Sequence, residues 1–179
     1  MPRVDELASF LGWPGKVVPE LSWKDVEELL GINFPKAYKE MLDVFPSGEM
    51  ADGIRLVSPV EDAETLELFR ARIEISYEYF TSAREMLPDR FPHKFHPELD
   101  GLIAWAIDDD HTYFWDPSRG PDPDGWPVVF LENTGPGWGS YEGSVVDFLL
   151  EVVSGTLLDE ALYSDWADAE KTFHPVRFR

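Results

Sequence analysis

The sequence predicts an α+β fold, a mostly antiparallel sheet of about five strands with N-terminal helices and a C-terminal helix packed against it. Three observations carry this prediction. From Gly101 to Gly155 the chain reads as a strand hairpin, a third strand and a closing amphipathic helix. Ahead of that stretch, apolar residues recur at three- and four-residue steps in several segments, the helical period. The chain's 179 residues, 44% hydrophobic and 14% aromatic, are enough to bury one substantial core and argue against disorder.

Taken in order, Val4, Leu7, Ala8 and Leu11 predict a first helix, ended by Gly12-Trp13-Pro14-Gly15. Ser22 caps a second helix, with Asp25 at the capping-box position and Val26, Leu29 and Leu30 as its buried stripe. Pro35 suits the first turn of a third helix, whose Tyr38, Met41, Leu42 and Phe45 share one face, and Pro46-Ser47-Gly48 closes it. Ile54 to Val57 is the first strand. The segment from Val60 to Leu87 follows, with Leu66, Phe69, Ile73, Tyr77 and Phe80 at helical steps, as one long helix or two joined near Ala71. Its Arg70, Arg72 and Arg84 are expected to pair with Glu67, Glu74 or Glu78 one turn away. Pro88 to Pro97 is a loop.

Leu102 to Ile107 is nearly continuous apolar sequence, as in a strand covered on both faces. Asp108 to His111 supplies a turn, Thr112 to Trp115 the return strand, and Asp116-Pro117 ends it. Trp126 to Leu131 is another strand, with Pro127 at its start. A Gly-rich loop from Asn133 to Gly143 leads to Ser144, an N-cap. The apolar spacing from Val145 to Val153 predicts the closing helix, and Gly155 stops it. Leu157 to Leu162 suggests a short helix. Thr172 to Phe178 adds a strand that Pro175 confines to an edge. No linker or repeat divides the chain, so one domain over 1–179 is expected.

Composition removes several functions. There is no Cys, which excludes disulfides, zinc–thiolate sites and cysteine catalysis. No run approaches the roughly 20 apolar residues of a membrane span, and no secretory signal is visible, so a cytoplasmic location is expected. Fifteen Lys and Arg stand against thirty-five Asp and Glu, a net charge of −20. From Phe95 to Glu170 there are seventeen acids and one base, Arg119. Such a field repels nucleic acid, whose affinity comes from cationic phosphate contacts, and steers a basic protein.

The order of these elements, with Asn33-Phe34-Pro35-Lys36-Ala37-Tyr38-Lys39-Glu40-Met41-Leu42 and the strand Ile54 to Pro59 (IRLVSP), resembles the SUKH superfamily. That superfamily joins fungal cell-wall regulators to bacterial immunity proteins. In its early signature a Pro is followed three residues on by a Tyr within a helix, here Pro35 and Tyr38. The resemblance covers roughly Leu21 to Gly155, with the helix over 60–87 as a segment of variable length. The chain departs from the pattern in lacking a Leu before that Pro and a Gly in the turn at Asp108 to Asp110. The resemblance implies protein binding, as an immunity protein neutralising a toxin, or alternatively as a regulatory or scaffold module of the cell envelope or signalling.

Candidate chemistry is sparse. Asp108, Asp109, Asp110 and His111 could serve as acid, base or metal ligands, the basis of an alternative reading as an unrecognised enzyme. Adjacent turn residues point in different directions, so a solvated hairpin tip is expected instead. Gly120-Pro121-Asp122-Pro123-Asp124-Gly125 echoes a calcium loop, but places Leu131 where the bidentate Glu belongs. His93 and His96 lack a third ligand. No phosphate-cradling loop or GxSxG elbow occurs. No catalytic residue, metal or cofactor is therefore assigned. What remains is recognition. Trp126, Trp138 and Tyr141, rimmed by Asp116, Asp122, Asp124, Glu132 and Glu142, suit capture of a basic protein surface, with Trp105 and Trp115 assigned to the core.

Overall fold

A computed structural model of the chain describes residues 2–51, 53–135, 137–162 and 169–178. Three helices come first. α1 (Pro2–Phe10) buries Val4, Leu7 and Ala8. α2 (Trp23–Leu30) begins where the Asp25 amide donates to the Ser22 hydroxyl at 3.2 Å, and ends at Gly31, whose φ of 65° suits a residue without Cβ. Its buried strip is narrower than the spacing suggested: Val26 is buried, but Leu29 is 63% exposed. At 3.6 residues per turn Leu29 stands about 60° round the helix from Val26, beyond the contact. α3 (Lys36–Leu42) buries Tyr38, Met41 and Leu42. Its N-cap is Pro35, which offers no side-chain acceptor.

The short strands β1 (Gly48–Met50) and β2 (Ile54–Leu56) precede α4 (Ala63–Met86), a single helix of 24 residues. A capping box starts α4: the Thr65 amide donates to Asp62 at 2.8 Å and the Asp62 amide to Thr65 Oγ1 at 3.0 Å. Arg70 pairs with Glu67 and Glu74 as its spacing predicts. The other two arginines do not find helix partners. Arg72 donates to the Arg55 carbonyl at 3.2 Å, and Arg84 reaches Glu98 at 2.8 Å in the following loop. Tertiary neighbours displace the local pairing in both cases.

Strands β3 (Ile103–Ile107), β4 (His111–Trp115), β5 (Val128–Glu132) and β6 (Trp138–Tyr141) follow, then α5 (Val145–Ser154) and β7 (Phe173–Pro175). All pairings are antiparallel, in the order β6-β5-β4-β3-β2-β1-β7. β7 takes the edge, as Pro175 requires. The sheet has seven strands, two more than the apolar runs predicted. β1 lies in sequence read as a helix stop. β6 lies inside the Gly-rich stretch read as a loop, and pairs with β5 from Val128↔Tyr141 to Leu131↔Trp138. Gly139 is needed in β6, because a Cβ there would stand 2.2 Å from the Phe130 ring.

The sheet separates two apolar clusters. Trp105, Tyr113, Trp115, Val128 and Phe130 face α1, α3 and α5, while Ala104, Phe114, Val129 and Leu131 face Phe80 and Ala83 of α4 with Phe91 and Phe95. A register shift between Ala104 and Ala106 turns Ala106 to the same face as Trp105. Leu66, Phe69 and Ile73 of α4 belong to the first cluster, so this helix serves both. Coverage on both faces explains why the central strands are apolar throughout. Among the described residues no helix is long and apolar enough to cross a membrane.

Trp105 and Phe148, both fully buried, pack edge to face at 6.4 Å and join β3 to α5. Trp105→Ala and Phe148→Ala are each expected to cost about 3–5 kcal/mol in urea unfolding. A loss below about 1 kcal/mol for both would contradict this packing.

Candidate functional site

At one end of the sheet Trp115, Val128 and Tyr141 lie side by side on β4, β5 and β6. The segment between β4 and β5 crosses this end in two tight turns. Asp116 accepts from the Ser118 amide at 3.0 Å and Asp122 from the Asp124 amide at 3.1 Å. The Trp126 indole N–H donates to the Gly120 carbonyl at 2.7 Å, folding the segment onto itself. Asp124 does the long-range work: it accepts from the Lys36 amide at 2.5 Å. Pro35 cannot cap α3, so an acid 88 residues away supplies the anion that the helix start favours.

This link brings the loop against the helices. A cleft of about 300 Å³ opens between them, lined by Pro35, Ala37 and Glu40, by Asp124 and Trp126, and by Val145 at the start of α5. Trp126 is half-buried, with its ring in the cleft wall. Asp122 and Glu142 are exposed, and Arg119, the one cation in this acidic half, pairs with Glu142 at 3.0 Å and Asp116 at 3.8 Å. Tyr141 is half-buried on the Phe148 ring and donates to Glu151 at 2.8 Å. Burial first, and then the bond to Glu151, push the Tyr141 hydroxyl up to about 12.

The structure brings together Asp116, Asp122, Asp124, Trp126, Tyr141 and Glu142. It does not bring Glu132 and Trp138 to them. Both stand at the opposite end of β5 and β6, about 13 Å along the strands, where Leu131 pairs with Trp138. Trp138 also points to the other face. Its indole donates to the Arg90 carbonyl at 2.7 Å and its ring lies 4.6 Å from His93. Sequence reasoning missed Glu40 and Val145 as cleft residues; their only signal was that Glu40 falls within the signature segment around Pro35 and that Val145 follows the Ser144 cap.

The β3–β4 tip is not the solvated turn expected. Asp109 and Asp110 face solvent, but Asp108 is 7% and His111 1% exposed. The reason is that the Asp108 carboxylate organises the turn from inside. Its Oδ1 accepts from the amides of Asp110 and His111, at 2.7 and 2.6 Å, and lies 3.0 Å from His111 Nδ1. The Tyr113 hydroxyl donates to Oδ2. Burial alone would raise this carboxyl, but the bonds from His111, Tyr113 and Asp110 outweigh it and hold Asp108 below the usual carboxylate range. Burial and the neighbouring Asp108 push the Tyr113 hydroxyl up. Burial lowers both His93 and His96. Among the described residues no group of three His, Asp or Glu could hold a metal ion.

The sheet is antiparallel and covered on both faces, with an acidic cleft walled by Trp126 at one end. The chain belongs to the SUKH_6 family, described as SMI1-KNR4 cell-wall, whose model matches residues 20–148. That span holds α2, α3, the sheet from β1 to β6 and the start of α5. No match was found among curated proteins or among solved structures.

Asp108→Asn is expected to lower stability at pH 7 by about 1.5–3 kcal/mol, since an amide nitrogen would meet a donor inside the turn. The folded carboxyl titrates below the unfolded one. Its stabilisation is therefore whole above about pH 4 and is lost as pH falls through the lowered value. Denaturant curves from pH 7 to pH 2 should show the two proteins converging on the acid side; a constant gap would refute this.

Proposed function

We propose that the chain is a non-catalytic protein-binding domain that acts as an immunity protein in the cytoplasm, neutralising a cognate toxin through the acidic end of its sheet. One observation carries this reading: Asp124 anchors the acidic loop to α3, so the family's signature helix and the acidic, Trp-bearing segment share one cleft. Charge supports it. Asp116, Asp122, Asp124 and Glu142 outnumber the cations beside them, Arg119 and Lys36, so the field at this end attracts a basic surface. Blockade would be steric and electrostatic, with Trp126 and Tyr141 as rigid anchors and the acids as rim. A second reading, a regulatory module of the cell envelope, is favoured by the family's description. Enzymatic chemistry at the β3–β4 tip forms no part of either, because His111 is 1% exposed.

The test needs the partner, sought in the product of the neighbouring gene and by pull-down, and then stopped-flow binding. Asp122→Lys with Glu142→Lys is expected to slow association about tenfold while leaving dissociation nearly unchanged. Trp126→Ala should chiefly speed dissociation. Asp124 is left intact because it holds α3. Raising salt from about 0.01 to 0.15 M shortens the Debye length from ~30 to ~8 Å and should erase most of the charge effect. Association indifferent to both salt and the Lys substitutions would leave the acidic charge with a role in solubility alone.

A further inference from the structure

Helix α4 carries a face that none of the described residues covers. Ile75, Tyr79, Met86 and Leu87 are 65, 61, 73 and 52% exposed. Single apolar side chains on a surface are ordinary, but a stripe of them along one helix marks an interaction site. They border two clefts of about 540 and 520 Å³ that share Ile75, Tyr79 and Asn133 and so form one groove. From Ile75 to Leu87 the stripe runs about 18 Å, a little over three turns of helix. That length exceeds what a single small ligand spans and matches a docked helix.

The groove's charge opposes that of the molecule. Arg72 lines one cleft and Arg90 the other, against one acid, Glu78. Arg72 donates to the Arg55 carbonyl at 3.2 Å, and Arg90 to the carbonyls of Asn133 and Gly135 at 3.3 and 2.7 Å. Among the described residues neither guanidinium meets a carboxylate, and Arg90 Nε is buried without a partner. Burial, with a smaller contribution from the neighbouring Arg55, lowers Arg72 to about 10.

We propose that this groove receives an amphipathic helical segment of a partner protein, apolar where it meets Ile75 and Tyr79 and acidic where it meets Arg72 and Arg90. The surface is separate from the acidic cleft and selects the opposite charge, so it stands independently of the immunity reading. A second copy is a poorer occupant, since it would bring together two chains of net charge −20 and face cations with cations.

The probes are two labelled helix-forming peptides of about 18 residues, identical in apolar face, one flanked by Glu and the other by Lys. Fluorescence anisotropy against the full chain should show the Glu peptide binding, about tenfold more weakly to Arg72→Gln and to Tyr79→Ser. Tyr79 is exposed, so its variant remains folded and keeps the test valid if Arg72→Gln is not. The Glu peptide should bind equally to the protein carrying Asp122→Lys and Glu142→Lys. Failure of the Glu peptide to bind, or affinity unmoved by both groove changes, would overturn the proposal. So would a dimer in sedimentation equilibrium that Ile75→Asp dissolves, since that assigns the groove to a second copy.

Discussion

The aromatic contact between α3 and the sheet is the interaction on which the rest depends. Tyr38 meets Trp115 edge to face at 4.7 Å, Trp115 stacks on Trp105 at 5.6 Å, and Trp105 meets Phe148 of α5. α3, the β3–β4 hairpin and α5 are thereby fixed by four large rings, each essentially without solvent contact. Aromatic pairs of this geometry contribute about 0.5–1.5 kcal/mol beyond area burial, so the cluster outweighs any surface ion pair here. The cost is polar: among the described residues the Tyr38 hydroxyl and the Trp105 indole N–H are buried without partners. Burial accordingly pushes the Tyr38 hydroxyl far above its usual range.

The cleft inherits its position from that cluster. α3 lies where Tyr38 pins it, and its start, which has no side-chain cap of its own, faces the loop between β4 and β5. Asp124 occupies it. A carboxylate committed in this way is structural as well as electrostatic, which distinguishes it from Asp122 and Glu142 on the rim.

The sheet end with Asp116, Asp122 and Glu142 is anionic, while α4 interleaves Arg70, Arg72 and Arg84 with five Glu, and Arg90 follows Asp89 in the loop after it. Arg70 and Arg84 are paired within the molecule, and Arg72 and Arg90 donate to carbonyls. The acidic end and the α4 groove share no lining residue.

Period and punctuation in the sequence determined most of the elements: Ser22, Asp62 and Ser144 start helices and Gly31 and Gly155 end two of them, all from local chemistry. The acidic segment and Trp126 were legible for the same reason. What the sequence hid was partnership. β6 became a strand only because β5 offers it an edge, and Gly139, a loop residue by propensity, is what the Phe130 ring requires. Asp108 went inward because the Tyr113 hydroxyl and two backbone amides donate to its carboxylate there, and the His111 ring packs beside it, a choice that turn composition does not encode. Glu132 and Trp138 read as companions of Trp126, yet strand pairing sends them to the far end, since a strand separates its ends by its own length. Hydrogen-bond propensity acts between near neighbours, so the sequence displays it. Register and face are settled by contacts made across the whole chain, and only the folded molecule contains them.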